Sequence, residues 1–352
     1  MDNFVLSIII ITCIIFWSCI FVFIYNCIIN TNIYDYKSQL KKDSKSSLFP
    51  FRYFQDSNGN ILPFVAVTGF FRTKEMLNKY YEYVNNNIHI FGITAYKTFP
   101  KEITDGSEGY YVNNQEFNYT KNIKNWLCCF RDPNDYGLTD ENNILNISES
   151  DFYDINTNIE KNKKYDFIYI CLKDGDKCPL NGWNAINRNF NLALKCFPIM
   201  IDEFGMNGLI VGRVNCNLEE KYGGKIEVVD QLDYHVLQEK MSQSKFLFVP
   251  NVYDASPRVV SESIIKNVPV LMNRNIVCGS KYINNETGEF FTDEHDIKLS
   301  LTNLVNKLDK INPQKWWQEN YGTDISEKKL CTFLKDAFPN TLNDIENVKF
   351  IL

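Results

Sequence analysis

Short apolar runs of strand length alternate along this chain with segments of helical periodicity, and that alternation limits the possible folds more than any other feature. Phe64–Phe70 reads FVAVTGF, a buried-strand run. In Lys74–Val84, helical spacing puts Met76, Leu77, Tyr80, Tyr81 and Val84 on one side, and Ile88–Ala95 returns to strand character. Further strands are predicted at Trp126–Phe130 and Ile144–Ile147. After the polar stretch Asn156–Lys164 a second series begins, with strands at Phe167–Leu172, Leu209–Gly212, Ile226–Val229, Phe246–Val249 and Val268–Met272. Helices at Phe190–Phe204, Tyr234–Gln243 and Pro257–Lys266 separate them. Strands that alternate with helices predict a parallel, doubly wound sheet covered on both faces.

Two such series joined by a polar stretch predict an α/β protein of two Rossmann-like domains facing a cleft. Ligands of such sheets sit at the carboxyl ends of the strands. The expected boundaries are a first domain over 61–162, a second over 163–310, and C-terminal helices over 311–352 that pack back across both. The helices there are predicted at Gln314–Asn320 and Ser326–Phe338. Trp316, Trp317 and Tyr321 beside them read as packing residues. Residues 31–60 are polar, rich in Lys, Ser, Asp and Asn, and read as a short stem.

Phe4–Ile29 is almost unbroken apolar sequence without Asp, Glu, Lys or Arg. Such a run is long enough to span a bilayer as one transmembrane helix. It lacks the basic start, short core and small-residue cleavage site of a signal peptide, so residues 1–30 are expected to be a permanent single-pass anchor. Lys37, Lys41, Lys42 and Lys45 follow it and no basic residue precedes it. The positive-inside rule then puts the globular part in the cytosol, with a lumenal body as the alternative.

The formal charge is −6 and charged residues make up 23% of the 352. This excludes a disordered chain and disfavours nucleic acid as a partner, since a binder of that class carries a basic face. The 11 cysteines show no C-x-x-C pair and no zinc spacing with the three histidines. They read as reduced, mostly buried thiols rather than disulfides. Asn118, Asn146 and Asn285 open glycosylation sequons, which chance supplies in so Asn-rich a chain.

The chemically informative segment follows the strand run FLFV: Pro250-Asn251-Val252-Tyr253-Asp254-Ala255-Ser256-Pro257-Arg258, then Glu262 inside the next helix. Ser256 suits a helix cap and Pro257 a first turn. Free amides at such a helix start form an anion site, suited to a diphosphate. The Asp254-x7-Glu262 spacing lets one acid reach a sugar and the other a ribose. With Asn267-Val268-Pro269-Val270-Leu271, with Asn285–Phe291 (NETGEFF) and with Leu209-Ile210-Val211-Gly212-Arg213, this segment resembles retaining GT-B glycosyltransferases of the family 4 (group 1) type. The resemblance covers roughly Tyr165–Leu308.

That resemblance implies a GT-B-like fold and a nucleotide-diphosphate sugar as donor. It casts Glu262 as the ribose ligand and Asp254 as the contact to the donor sugar. Ala255, Ser256, Pro257 and Arg258 take the place of the turn that holds the distal phosphate, with Gly212 at the mid-domain strand end. Where the family keeps Arg and Lys for the diphosphate, the candidates are Lys173 and Lys177, with Arg188 and Arg213 behind them. Cations there offset charge on the departing diphosphate. No metal is expected; Asp174-Gly175-Asp176 reads as a loop rather than a metal-binding D-x-D motif. No cofactor is expected beyond the donor. The acceptor is left open as glycan, lipid or protein.

The chain departs from the family in having Asp for the first Glu and Ala-Ser-Pro for a Gly-rich turn. It also has no recognisable GRLxxxKG, and its first domain is short. Those departures keep two alternatives open: a non-catalytic binding or scaffold protein on a degenerate GT-B fold, and a GT-B-fold epimerase or phosphorylase.

Overall fold

The computed structural model of the chain describes residue 20 and residues 37–46, 49–56, 58–94, 99–101, 117–155, 162–254, 257–339 and 348–351. The apolar run 4–29, except residue 20, lies outside the described residues, as do 156–161 of the polar stretch and both Ala255 and Ser256. Among the described residues no helix is long and apolar enough to cross a membrane.

Two six-stranded sheets form the frame. The first contains β1 (Phe51–Asp56), β2 (Ile61–Val67), β3 (His89–Ile93), β4 (Asn125–Cys128), β5 (Asn143–Asn146) and β12 (Val348–Ile351) in the order β12-β1-β2-β3-β4-β5. From β2 to β5 the strands are parallel, whereas β1 is antiparallel to both β2 and β12. A tight connection explains the reversal: the Asp56 carboxylate accepts from the Asn58 and Asn60 amides, and a turn that short joins only antiparallel neighbours. The first sheet is therefore wound to one side only, unlike the full doubly wound sheet expected for this half.

The described part of the expected stem is also structured. Residues 37–46 form a helix with Leu40 buried, and its Asp43 accepts from Tyr83 at 2.9 Å and pairs with Lys79 at 2.8 Å. Both partners belong to helix α1 (Lys74–Asn85). The polar composition of 31–60 hid these elements because their buried residues are few and spaced among charges.

The second sheet is wholly parallel. Its strands are β6 (Tyr165–Ile170), β7 (Gly208–Val211), β8 (Ile226–Val229), β9 (Ser244–Val249), β10 (Val270–Asn273) and β11 (Gly288–Phe291), ordered β11-β10-β9-β6-β7-β8. Counted within this half, that is the doubly wound order 3-2-1-4-5-6, and its direction reverses between β6 and β9. The crossovers include α2 (Trp183–Asn187), α3 (Phe190–Pro198), α4 (Tyr234–Ser242) and α5 (Arg258–Ile265), and α6 (Ile297–Val305) follows the last strand. The β11 strand lies within Asn285–Phe291, which the resemblance gave as a turn, and α6 was not predicted.

Alternating residues of the central strands feed opposite cores, as the pleat requires. Phe167, Tyr169, Phe246 and Phe248 pack with α3 on one face, while Ile168, Leu247, Val249, Val260 and Ile264 fill the other. At the C-terminus α7 (Pro313–Asn320) closes the second sheet through Trp317, whose indole donates to the Tyr153 carbonyl at 2.8 Å. Helix α8 (Thr323–Ala337) crosses back, and its Leu330 and Leu334 pack on Phe54, Phe64 and Phe91 of the first sheet.

The loops at the facing ends of the two sheets touch. Phe130 and Cys278 form an antiparallel bridge, and the Arg131 amide donates to the Val277 carbonyl at 2.9 Å. Beside them Asp151, buried at 3% exposure, accepts from Lys281 at 2.6 Å and from the Tyr282 hydroxyl.

Candidate active site

At the reversal point of the second sheet, the α2–α3 junction that follows β6 meets the loop after β9. Asp174, in the loop after β6, does not face solvent as a metal-binding acid would. It accepts from the Asn184 amide at 2.8 Å and the Ala185 amide at 3.0 Å, so it holds the start of α2. Gly182 is required there, since a Cβ would lie 2.4 Å from the Asp174 carboxyl carbon. Arg213, fully buried, donates to Asp174 at 2.9 Å and to the Cys171 sulfur at 3.1 Å, with its guanidinium 4.6 Å from the Phe190 ring centroid. Burial raises the Asp174 pKa, but the two amides and the Arg213 guanidinium outweigh it and hold the carboxyl below its ordinary value. Nη1 of Arg213 has no partner among the described residues.

Helix α2 carries the chain from this anchor to Arg188. Tyr169 of β6 donates to the Arg188 carbonyl at 2.9 Å. The next residue, Asn189, takes a left-handed conformation (φ 48°) and donates to the Pro250 carbonyl at 3.0 Å. Thus Arg188 is delivered to the loop after β9, where its guanidinium pairs with Asp254. Asp254 is 8% exposed and also accepts from the Asn251 amide group at 2.9 Å.

Glu262 lies in the second turn of α5 with 6% exposure. Gln238 of α4 donates to it at 3.0 Å, and the nearby Tyr153 hydroxyl favours its ionised form. Burial pushes the Glu262 carboxyl above its ordinary value, and Gln238, the Arg258 charge and Tyr153 offset this only in part. Arg258 opens the helix and is exposed, with its side chain 3.8 Å from Glu149 of the first half. Pro257, buried, stands at the cap position one residue before the helix.

Gly212 closes β7 with φ 107°. A Cβ would come within 2.5 Å of the Leu172 Cα, so the residue permits the loops after β6 and β7 to approach. A disulfide between Cys178 and Cys216 fastens those two loops, contrary to the expectation of thiols only. The strands β6 and β7 are neighbours, so the topology brings together cysteines that lie far apart in sequence. The described cysteines outside this bridge are buried thiols, as expected.

The structure brings Asp254 and Arg188 into contact and places Glu262 on the helix that follows. It does not bring Lys173 or Lys177 to them. Lys173 is exposed and pairs with Asp230 at 3.2 Å, beyond the end of β8. Lys177 is exposed in the loop held by Asn215, which donates to its carbonyl. The reversal point lies between β6 and β9, whereas the loop after β6 leans toward β7 and β8. Arg213 supports the site from beneath. Gln238 and Tyr153 escaped the sequence reading because no spacing links them to the acids, and Asn251, three residues before Asp254, because nothing in the sequence marks its amide as a partner. Among the described residues no cluster of His, Cys, Asp and Glu is built to hold a metal ion.

No protein-family model matches the sequence, and no curated protein matches it. Solved structures match by fold. A TarM mutant from S. aureus, in complex with Fondaparinux, alpha-GlcNAc-glycerol and UDP, aligns with a TM-score of 0.50 at 14% identity, over 73% of this chain and 53% of that one. The lipopolysaccharide outer core galactosyltransferase WaaB aligns with a TM-score of 0.53 at 12% identity, over 88% of this chain and 80% of that one. A glycosyltransferase from Rickettsia africae aligns with a TM-score of 0.54 at 13% identity, over 79% and 77%. The chain spans about half the length of the TarM structures it matches. At these identities the likeness is one of fold: the chain resembles GT-B glycosyltransferases in architecture.

Proposed function

We propose that the chain is a glycosyltransferase that moves a sugar from a nucleotide-diphosphate donor to an acceptor in the cleft. The observation that carries this reading is the Arg188–Asp254 pair at the reversal point, with Glu262 in the helix that follows. Arg188 offers charge to a departing diphosphate, replacing the lysines first considered. By the resemblance, Asp254 would meet a hydroxyl of the donor sugar and Glu262 the ribose. The UDP in the TarM complex supports a nucleotide donor here. Retention of anomeric configuration, independence of metal and a glycan, lipid or protein acceptor complete the proposal. Asp174 is committed to Arg213 and to the start of α2, which favours the metal-free reading.

The run 4–29 is proposed to anchor the protein in a membrane, with the lysines after it favouring a cytosolic body. The Cys178–Cys216 disulfide favours a lumenal body, because such bonds persist in oxidising compartments.

A thermal-shift panel of nucleoside diphosphates and nucleotide sugars on the full chain in detergent tests the donor site. A ligand at a hundred times its Kd should stabilise the native state by about 2.7 kcal/mol. Glu262→Gln should abolish that shift without lowering the unliganded Tm at pH 7. Its pKa is raised in the folded protein, so ionised Glu262 costs stability above the ordinary carboxylate range, and that cost is relieved as pH falls. A folded protein that responds to no nucleotide would support the scaffold reading instead.

A further inference from the structure

Gln238 is 94% buried by its 6% exposure, yet only half of its amide is used. Its Nε2 donates to one oxygen of Glu262 at 3.0 Å. Its Oε1 is buried with no partner among the described residues. A buried acceptor left open costs about 1–3 kcal/mol, and the large majority of such groups in native proteins are satisfied. Tyr234, four residues earlier and on the same face of α4, is 52% exposed. The orphan oxygen therefore lies on a helix face that becomes exposed within one turn.

We propose that Gln238 reads the ribose of the donor: its Oε1 accepts a hydrogen bond from a ribose hydroxyl while its Nε2 fixes the Glu262 carboxylate beside it. This rests on the donor-site reading above. The pairing suits a vicinal diol. A carboxylate accepts from one hydroxyl and an amide oxygen from its neighbour, so both hydroxyls donate and neither acceptor is left unused. Fixing Glu262 by an amide rather than by a cation leaves the acid free to accept, and the two acceptors together present a surface that a vicinal diol satisfies. A deoxyribose would leave the Gln238 oxygen unpaired, which makes the residue a determinant of ribonucleotide over deoxyribonucleotide binding.

The test measures the affinities of UDP, GDP and ADP, and of the 2′-deoxy and 3′-deoxy forms of each, for the full chain in detergent. Gln238→Met, close in volume, is compared with wild type, and Gln238→Ala serves if Met fails to fold. For whichever base binds, wild type should prefer the ribonucleotide to one deoxy form by about tenfold. In Gln238→Met that preference should collapse to within about twofold, through weaker binding of the ribonucleotide and unchanged binding of that deoxy form. Equal weakening of all three forms would make Gln238 a merely structural support and overturn the proposal, as would unchanged affinities throughout. Nucleotide binding that depends on Arg188 but ignores Gln238 would leave the donor site standing and remove the ribose role. Binding of no nucleotide by folded wild-type protein would overturn the donor-site reading and this inference together.

Discussion

Asp174 shows how one residue's role reverses between sequence and structure. In the sequence it belongs to an acidic triplet between two lysines; in the fold it is the partner of a fully buried arginine and the anchor of a helix start. Removing one member of a buried pair strands the other, which typically costs 3–5 kcal/mol. Asp174→Ala should therefore lower the unfolding free energy by about 3 kcal/mol at pH 7. The carboxyl pKa is depressed in the folded state, so its contribution is present above the unfolded value of about 3.9 and is lost as pH falls through the folded value. Urea midpoints at pH 7 and at pH 4 and below check this: the gap between wild type and Asp174→Ala should narrow with acid. A gap that held constant would mean the carboxylate's charge contributes nothing.

At the scale of elements, the site depends on how the loops after β6, β7 and β9 are fixed to one another. Asp174 starts α2, α2 ends at Arg188, and Asn189 fastens the following turn to the loop after β9. The Cys178–Cys216 bridge secures the other side of the same loop, across a sequence separation of 38. In the chain-entropy view a bridge closing a loop of that size contributes about 3–4 kcal/mol. The double variant Cys178→Ser/Cys216→Ser should lose roughly that much stability, and dithiothreitol should bring wild type down to the same melting temperature. Should the reductant leave wild type unmoved, the two thiols are unpaired in solution.

Across the whole molecule, the two sheets are joined by polar contacts at their facing loops and by the returning C-terminus. Asp151 is central: it is buried, it accepts from Lys281 and Tyr282, and its carbonyl accepts from Ser326 of α8 at 2.8 Å. Ser148 adds a hydrogen bond to Tyr282 at 2.9 Å. Asp151→Ala should leave Lys281 and Tyr282 without their acceptor and cost about 3 kcal/mol. It should also give two unfolding transitions where wild type is expected to give one, which scanning calorimetry would reveal. One transition in the variant would locate the coupling in α8 instead, where Leu330 and Leu334 pack on the first sheet.

Most of the regular elements were legible in the sequence because strand runs and helical stripes are local patterns. Lys74–Val84 became α1 and Ile226–Val229 became β8 with at most a residue's difference. β1 and the helix over 37–46 were not legible, since their apolar residues are sparse and gain meaning only against a partner surface, whereas β2 was read in part as Phe64–Phe70. Asp254 and Glu262 could be singled out because their spacing spans one turn and one helix start. Arg188 was named only as a reserve behind the two lysines. Its place beside Asp254 follows from the order in which parallel strands neighbour one another, as does the pairing of Cys178 with Cys216. The chain by itself determined which segments become strands and helices, because burial on a periodic backbone is written in every few residues. Only the tertiary structure decided which loops share the reversal point of the sheet, because that depends on strand order, which no local pattern encodes.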